Sequence, residues 1–209
     1  MIAKYLIVVV IFLFAGCSNA QNKTQMKPTE SDTITKNNKV LIVYLTRTNN
    51  TKAVAEMIHD KVGGDLAAIE SATPYSENYQ KNVDEVAAQN DKGILPPLKT
   101  KIDISKYDII FVGFPTWGMQ VPPPVKTFLN ENNWSGKTIA PFNTNAGYGL
   151  GSSKAQLEKY CSEGKLTENF SVKGGYEKEG IMYVIEGKKA IEVNKLLDDW
   201  LKEIAIGIK

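Results

Sequence analysis

The chain has 209 residues, 43% of them hydrophobic and 23% charged, with a formal net charge of +2. Those figures suit one globular domain with short appendages, and they exclude disorder throughout, collagen-like sequence and a polytopic membrane protein. The small basic excess is scattered and gives no footprint for nucleic acid, and two cysteines build no disulfide framework.

The N-terminus differs from the rest. Residues 5–16 read YLIVVVIFLFAG, with Lys4 before them and Cys17 after. As a helix this run would span about 18 Å, short of a hydrocarbon core of roughly 30 Å. A basic start, a short apolar run and a small-residue site form a secretory signal. Phe14-Ala15-Gly16-Cys17 resembles the lipobox of bacterial lipoproteins. That resemblance implies a signal peptide over 1–16 and a lipidated Cys17. Residues 18–38 hold only Ala20, Met26 and Ile34 as apolar residues, too few to offset the entropy of ordering. The expectation is a flexible tether over 17–38 and a domain over 39–209. The protein would be a bacterial membrane lipoprotein on the extracytoplasmic side, held by its N-terminal lipid. Removing the four lysines and two acids of residues 1–38 leaves 21 basic and 21 acidic residues, so the domain is formally neutral.

From residue 39 onward strand and helix signals alternate. Residues 39–45 (KVLIVYL) form a continuous β-branched run that suits a strand buried on both faces. Residues 51–62 place Val54, Met57, Ile58 and Val62 at helical spacing. A weaker strand follows at 65–70 and a strong one at 107–114. The segment between them is too long for a simple connection, and its middle, 77–90, reads as a helix outside the sheet. A helix begins at prolines near 123, a strand follows at 137–142 and a helix near 152–161. A last strand is expected near 168–173. The final helix, 187–205, offers an apolar stripe of Ile191, Leu196, Leu197, Trp200, Leu201 and Ile204. This order predicts an α/β fold with a doubly wound parallel sheet.

Ligands of such sheets bind at the carboxyl ends of the strands. The first strand runs into Thr46-Arg47-Thr48-Asn49-Asn50-Thr51 at a helix start, an anion site or simply a well-capped helix. Neither G-x-G-x-x-G nor a P-loop motif is present, and no acidic cluster suggests a metal. The 107–114 strand leads to Pro115-Thr116-Trp117-Gly118-Met119-Gln120, where Trp117 either stacks on a ligand or covers the sheet edge. Asn143-Thr144-Asn145-Ala146-Gly147-Tyr148-Gly149 follows the 137–142 strand and offers close backbone approach or a mobile surface loop. Together the three loops suit a flat ring system carrying one phosphate. Residues 174–186 read either as a loop near the ligand or as a plain connection.

At this point the sequence resembles the flavodoxins, and more closely a bacterial flavodoxin-like group. That group carries S-R-T-G-N-T in the first loop, P-Y in the insertion and P-I-W-W-G before a proline-rich helix start. Here Thr46 to Thr51, Pro74-Tyr75, and Pro115, Trp117, Pro122 and Pro124 stand at those places, and Phe142 to Ser153 match the group's glycine loop. The resemblance implies a flavodoxin-like five-stranded sheet in three α/β/α layers, non-covalent FMN and electron transfer. It assigns the phosphate to Thr46, Thr48, Asn49, Asn50 and Thr51. It sets Pro115, Thr116, Trp117 and Gly118 on one side of the isoalloxazine. Asn143, Thr144, Asn145, Gly147, Tyr148 and Gly149 stand on the other. In flavodoxins a peptide beside the flavin flips with redox state. Gly118 makes the Trp117–Gly118 or the Gly118–Met119 peptide the expected one. The implied partner is a redox protein or a small-molecule acceptor. The alternatives are an FMN-dependent NAD(P)H:quinone-type oxidoreductase and an interaction module without flavin.

Overall fold

The computed structural model describes residues 38–207. The expected signal peptide, Cys17 and all but the last residue of the tether lie outside them. Among the described residues no helix is long and apolar enough to cross a membrane.

Strands β1 (Val40–Tyr44), β2 (Asp65–Ala68), β3 (Ile109–Pro115) and β4 (Thr138–Asn145) are all parallel. β5 (Lys165–Leu166) and β6 (Phe170–Lys173) both pair with β4 on its outer side, and together they fill a fifth position. The order is β2-β1-β3-β4-β5. β1 shows how a continuous apolar run serves two layers. Val40, Ile42 and Tyr44 join one core with α1 (Asn50–Val62) and α5 (Gly187–Glu203). Leu41, Val43 and Leu45 join the other, with α3 (Pro123–Glu131) and α4 (Ser153–Tyr160). This is the period-2 alternation of a strand covered on both faces. The expected α/β/α layering follows from it.

Three details depart from the sequence reading. The strand expected at 137–142 continues to Asn145, so Asn143 and Thr144 are buried strand residues. The expected last strand is β6, and an additional short strand, β5, precedes it across a break at 167–169. Ile139 and Asn145 accept from Thr167 and Gly174 N–H, so odd-numbered residues of β4 face this edge. Pro141 therefore points a nitrogen without a hydrogen at the gap, and the ladder breaks there. In α5 the buried stripe is Val193, Leu197, Trp200 and Leu201. Ile191 is 73% exposed because it lies well around the helix from that stripe, and Leu196, at the stripe's edge, is 43% exposed.

The insertion contains α2 (Tyr79–Lys92), capped by the Asn78 side chain on the Lys81 N–H at 3.0 Å. Cys161 is a free, buried thiol whose pKa burial pushes up to about 12.

Candidate functional site

Because the strands are parallel, the ends of β1, β3 and β4 open on one edge. A cleft of about 300 Å³ lies there, a size that suits a small ligand. The three expected loops converge on it. Arg47, Thr48, Asn50, residues 115–119, Thr144, Asn145, Ala146 and Tyr148 line it.

Asn49 sets the first loop. It takes the left-handed conformation, φ 63°, where the resembling group has glycine. α1 then starts with no side-chain cap and no acid in its first turn. Its first N–H groups have no partner within the helix, which suits an anion. The side chains of Asn50 and Thr51 turn into the protein. The Asn50 amide donates to Thr48 Oγ1 at 2.8 Å and to the Met182 carbonyl at 2.6 Å, and its oxygen accepts from Val184 N–H at 3.0 Å. Thr51 and Thr144 share a buried hydroxyl hydrogen bond of 2.8 Å. Both side chains are thus committed to partners within the protein. Thr46 Oγ1 is buried with no partner among the described residues.

Trp117 to Gln120 form a tight hairpin. Each end residue donates its N–H to the other's carbonyl at 3.2 Å. Gly118 and Met119 both have positive φ, 57° and 60°, the pattern of a type I′ turn. Trp117 meets Tyr75 edge-on, ring centroids 5.3 Å apart, and Tyr75 donates to Gln89 Oε1 at 2.6 Å. Burial raises the Tyr75 pKa well above its ordinary value, so the phenol stays protonated.

The third loop is laced to the second. Asn143 is fully buried and donates to the Phe114 carbonyl at 3.0 Å and to Thr116 Oγ1 at 2.9 Å. Thr116 in turn donates to the Gly149 carbonyl at 2.9 Å. Asn145 Oδ1 accepts from Gly147 and Gly149 N–H at 2.8 and 3.1 Å. Gly151 has φ 55°, and a Cβ there would meet the Met119 carbonyl oxygen at 2.1 Å, so only glycine allows this approach. Tyr148 is 61% exposed, and its hydroxyl bonds Tyr176 Oη at 2.7 Å. That bond is the largest of the causes that raise the Tyr176 pKa to about 12.

Two walls of the cleft were not assigned from sequence. One is α2, through Tyr79, Asn82, Val83, Val86 and Ala87. Their helical spacing was readable, but not the wall they would form. The other is residues 174–177, which decides the open reading of 174–186 in favour of a loop at the cleft. Arg47 joins both walls to the first loop. Its Nε donates to Glu177 at 2.7 and 2.8 Å, and its terminal nitrogens donate to the Ser76 and Glu77 carbonyls at 2.8 and 2.7 Å.

The residues present fit a flat, singly phosphorylated cofactor. The first loop supplies an uncapped helix start, and Thr46 Oγ1 and the 4%-exposed Asn82 leave buried oxygens unpaired. An unpaired buried polar atom is costly unless a ligand rearranges it into a bond. Among the described residues no group of His, Cys, Asp and Glu is placed to hold a metal.

Comparison with known proteins agrees with this geometry. A family model described as flavodoxin matches residues 39–187. A crystal structure of a putative flavoprotein from Bacteroides eggerthii DSM 20697 is 28% identical, with a TM-score of 0.65 over 81% of this chain and 99% of that one. One from Bacteroides uniformis ATCC 8492 is 20% identical, with a TM-score of 0.63 over 77% and 98%. A flavoprotein from Lactobacillus acidophilus NCFM, solved in complex with FMN, is 22% identical, with a TM-score of 0.56 over 64% and 93%. No curated protein matches the chain. The family model spans well over half of the sequence, and the chain belongs to the flavodoxin family.

Proposed function

We propose that this protein binds FMN non-covalently in the cleft and serves as an electron carrier, tethered outside the cytoplasm by a lipidated Cys17. The observation that carries the reading is the convergence of the three loops on one cleft beside the uncapped start of α1. The FMN complex of the Lactobacillus acidophilus flavoprotein supports the choice of cofactor. Bound FMN would supply one- and two-electron chemistry. The chain's part is binding, orientation and electrostatics. The N–H groups of residues 50–52, with the Thr46 and Thr48 hydroxyls, would hold the phosphate. The Trp117 hairpin and the Asn145-organised loop would clasp the ring between them. Among the described residues lining the cleft, Arg47 and Glu177 are the only charged ones, and they neutralise each other.

The test is a visible spectrum of the purified protein before and after dithionite, with titrations of FMN and of riboflavin into stripped protein. The expected result is a yellow protein that bleaches on reduction and binds FMN much more tightly than riboflavin. A colourless protein that takes up neither flavin overturns the reading. Steady oxidation of NADH or NADPH with a quinone would move it to the oxidoreductase alternative. Release of the mature protein from membranes by lipoprotein lipase would test the lipid anchor.

A further inference from the structure

Lys126 lies in the first turn of α3, directly after the Trp117 hairpin, and is only 9% exposed. Its Nζ donates to Asn90 Oδ1 at 2.8 Å and to Gln120 Oε1 at 2.7 Å. Among the described residues it has no carboxylate partner within ion-pair distance; both acceptors are neutral amides. Burial is the one cause that moves its pKa, and it moves it down. A buried ammonium facing only neutral acceptors costs free energy that an apolar side chain would not.

The neighbours show where that charge acts. Gln120 closes the hairpin, and its Oε1 also accepts from Gln156 Nε2 at 2.9 Å. Gln156 Oε1 accepts from Val121 N–H at 3.0 Å. Lys126 is thus the centre of an amide network that ties the hairpin to α2 and α4. On the other side, the position a Gly118 Cβ would take is 3.6 Å from Asn90 Nδ2. One amide therefore separates the ammonium from the hairpin that lines the cleft. The start of α3 has no acid in its first turn, so its dipole adds potential of the same sign.

We propose that Lys126 is a positioning residue for the Trp117 hairpin, and the buried positive charge that raises the reduction potential of a flavin held against it. The inference rests on the FMN reading above. A fixed positive charge in a site of low dielectric favours the form of the ligand that has gained electrons. The hydrogen bonds to Gln120 and Asn90 hold the turn in one geometry.

The test compares Lys126→Met, Lys126→Gln and Lys126→Arg in the full chain, saturated with FMN. Both flavin midpoint potentials are measured, together with the FMN dissociation constant and the melting temperature of the stripped protein. The Met and Gln variants should show more negative potentials than wild type. The Met variant should also bind FMN several-fold more weakly, because Asn90 loses its Lys126 donor and Gln120 keeps only Gln156. The Arg variant should keep potentials near wild type. If the Met variant does not fold, the Gln variant carries the measurement, since its amide still donates to one neighbour. Folded, FMN-saturated Met or Gln variants with wild-type potentials overturn the proposal while the FMN reading stands. A wild-type protein that takes up no FMN defeats both.

Discussion

Asn143 shows how much of the site rests on single polar side chains. Its amide joins the Phe114 carbonyl to Thr116 Oγ1, and its oxygen accepts from Asn145 Nδ2 at 3.1 Å. Leucine has a similar size but no hydrogen bonds, so Asn143→Leu would leave several buried partners unpaired. We expect a loss of about 2–4 kcal/mol, read by urea unfolding, because each orphaned group costs about 1–3 kcal/mol. A loss under half a kcal/mol would show that the loops hold without it. Gly118 is the other decisive residue. A type I′ turn becomes type II′ when its central peptide rotates, and type II′ keeps a positive φ only at the first central residue. A redox-linked flip of this turn would therefore fall on the Gly118–Met119 peptide, and it would release Met119 from its φ of 60°. Gly118→Ala has room, since a Cβ there meets nothing nearer than 3.6 Å. Its φ of 57° still costs an L-residue on the order of 1–2 kcal/mol. The type II′ state would suffer more, because its first position calls for glycine. The first-electron potential should shift relative to wild type in a dye-coupled titration, and an identical potential would refute the flip. The glycine's position was legible in the sequence. The inward turn of Asn50 and Thr51 was not, because their partners Met182 and Thr144 are 132 and 93 residues away.

At the scale of elements, the strong alternating pattern gave strand and helix order with boundaries close to those found, including the helix in the insertion. It failed where one element depends on another. The break between β5 and β6 reflects the missing hydrogen of Pro141 on the neighbouring strand, which no local pattern in 165–173 reveals. Residues 174–186 carry no periodicity, and long-range bonds hold them in place. Gly175 packs so tightly that a Cβ would lie 2.2 Å from the Met182 carbonyl oxygen, and Arg47 grips Glu177. The Arg47 and Glu177 side chains are only 15% and 16% exposed, so this pair is stronger than a surface ion pair. Arg47→Met should cost about 2 kcal/mol, through the lost charged hydrogen bonds and a stranded Glu177 carboxylate. Its more specific signature is local. Amide hydrogen exchange should speed up in 76–79 and 174–182 while the β1, β3 and β4 cores keep their protection. FMN affinity should fall with it, because both walls lose their common strut. Glu177→Gln should show a milder version, since a neutral amide oxygen still accepts from Nε. Unchanged exchange in both segments would mean that packing alone holds the walls.

For the whole molecule, the parallel sheet sets the field at the cleft. The chain enters β1 at the edge opposite the site, while α1, α3 and α4 start at residues 50, 123 and 153 on the site's own edge. None of the three has an acidic residue in its first turn. Three positive helix ends therefore lie at the cleft's edge of the sheet without acids in their first turns. The loop 143–153 contains no Asp or Glu, and Glu177 is already paired with Arg47. Lys173 lies against Gly147, its Nζ 3.9 Å from where a Cβ would stand. The domain's formal neutrality hides this local imbalance, which composition alone could not reveal. A second electron taken up without a proton leaves the flavin ring negatively charged, and acidic surroundings resist that addition by repulsion. Here that repulsion is reduced, since the acid lining the cleft, Glu177, is paired with Arg47. The second-electron potential of the FMN-loaded protein should therefore be clearly less negative than that of flavodoxins with acidic flavin loops, measured side by side in one buffer. Introducing acids at Gly147 or Tyr148, as Gly147→Asp or Tyr148→Glu, should drive it more negative, with an effect that shrinks as salt is raised. Tyr148 is the cleaner site, since Gly147 has φ 103° and any side chain there adds strain. A wild-type value as negative as the acidic proteins', unmoved by Tyr148→Glu, would mean that the bare helix starts and the missing acids do not set the flavin's second potential.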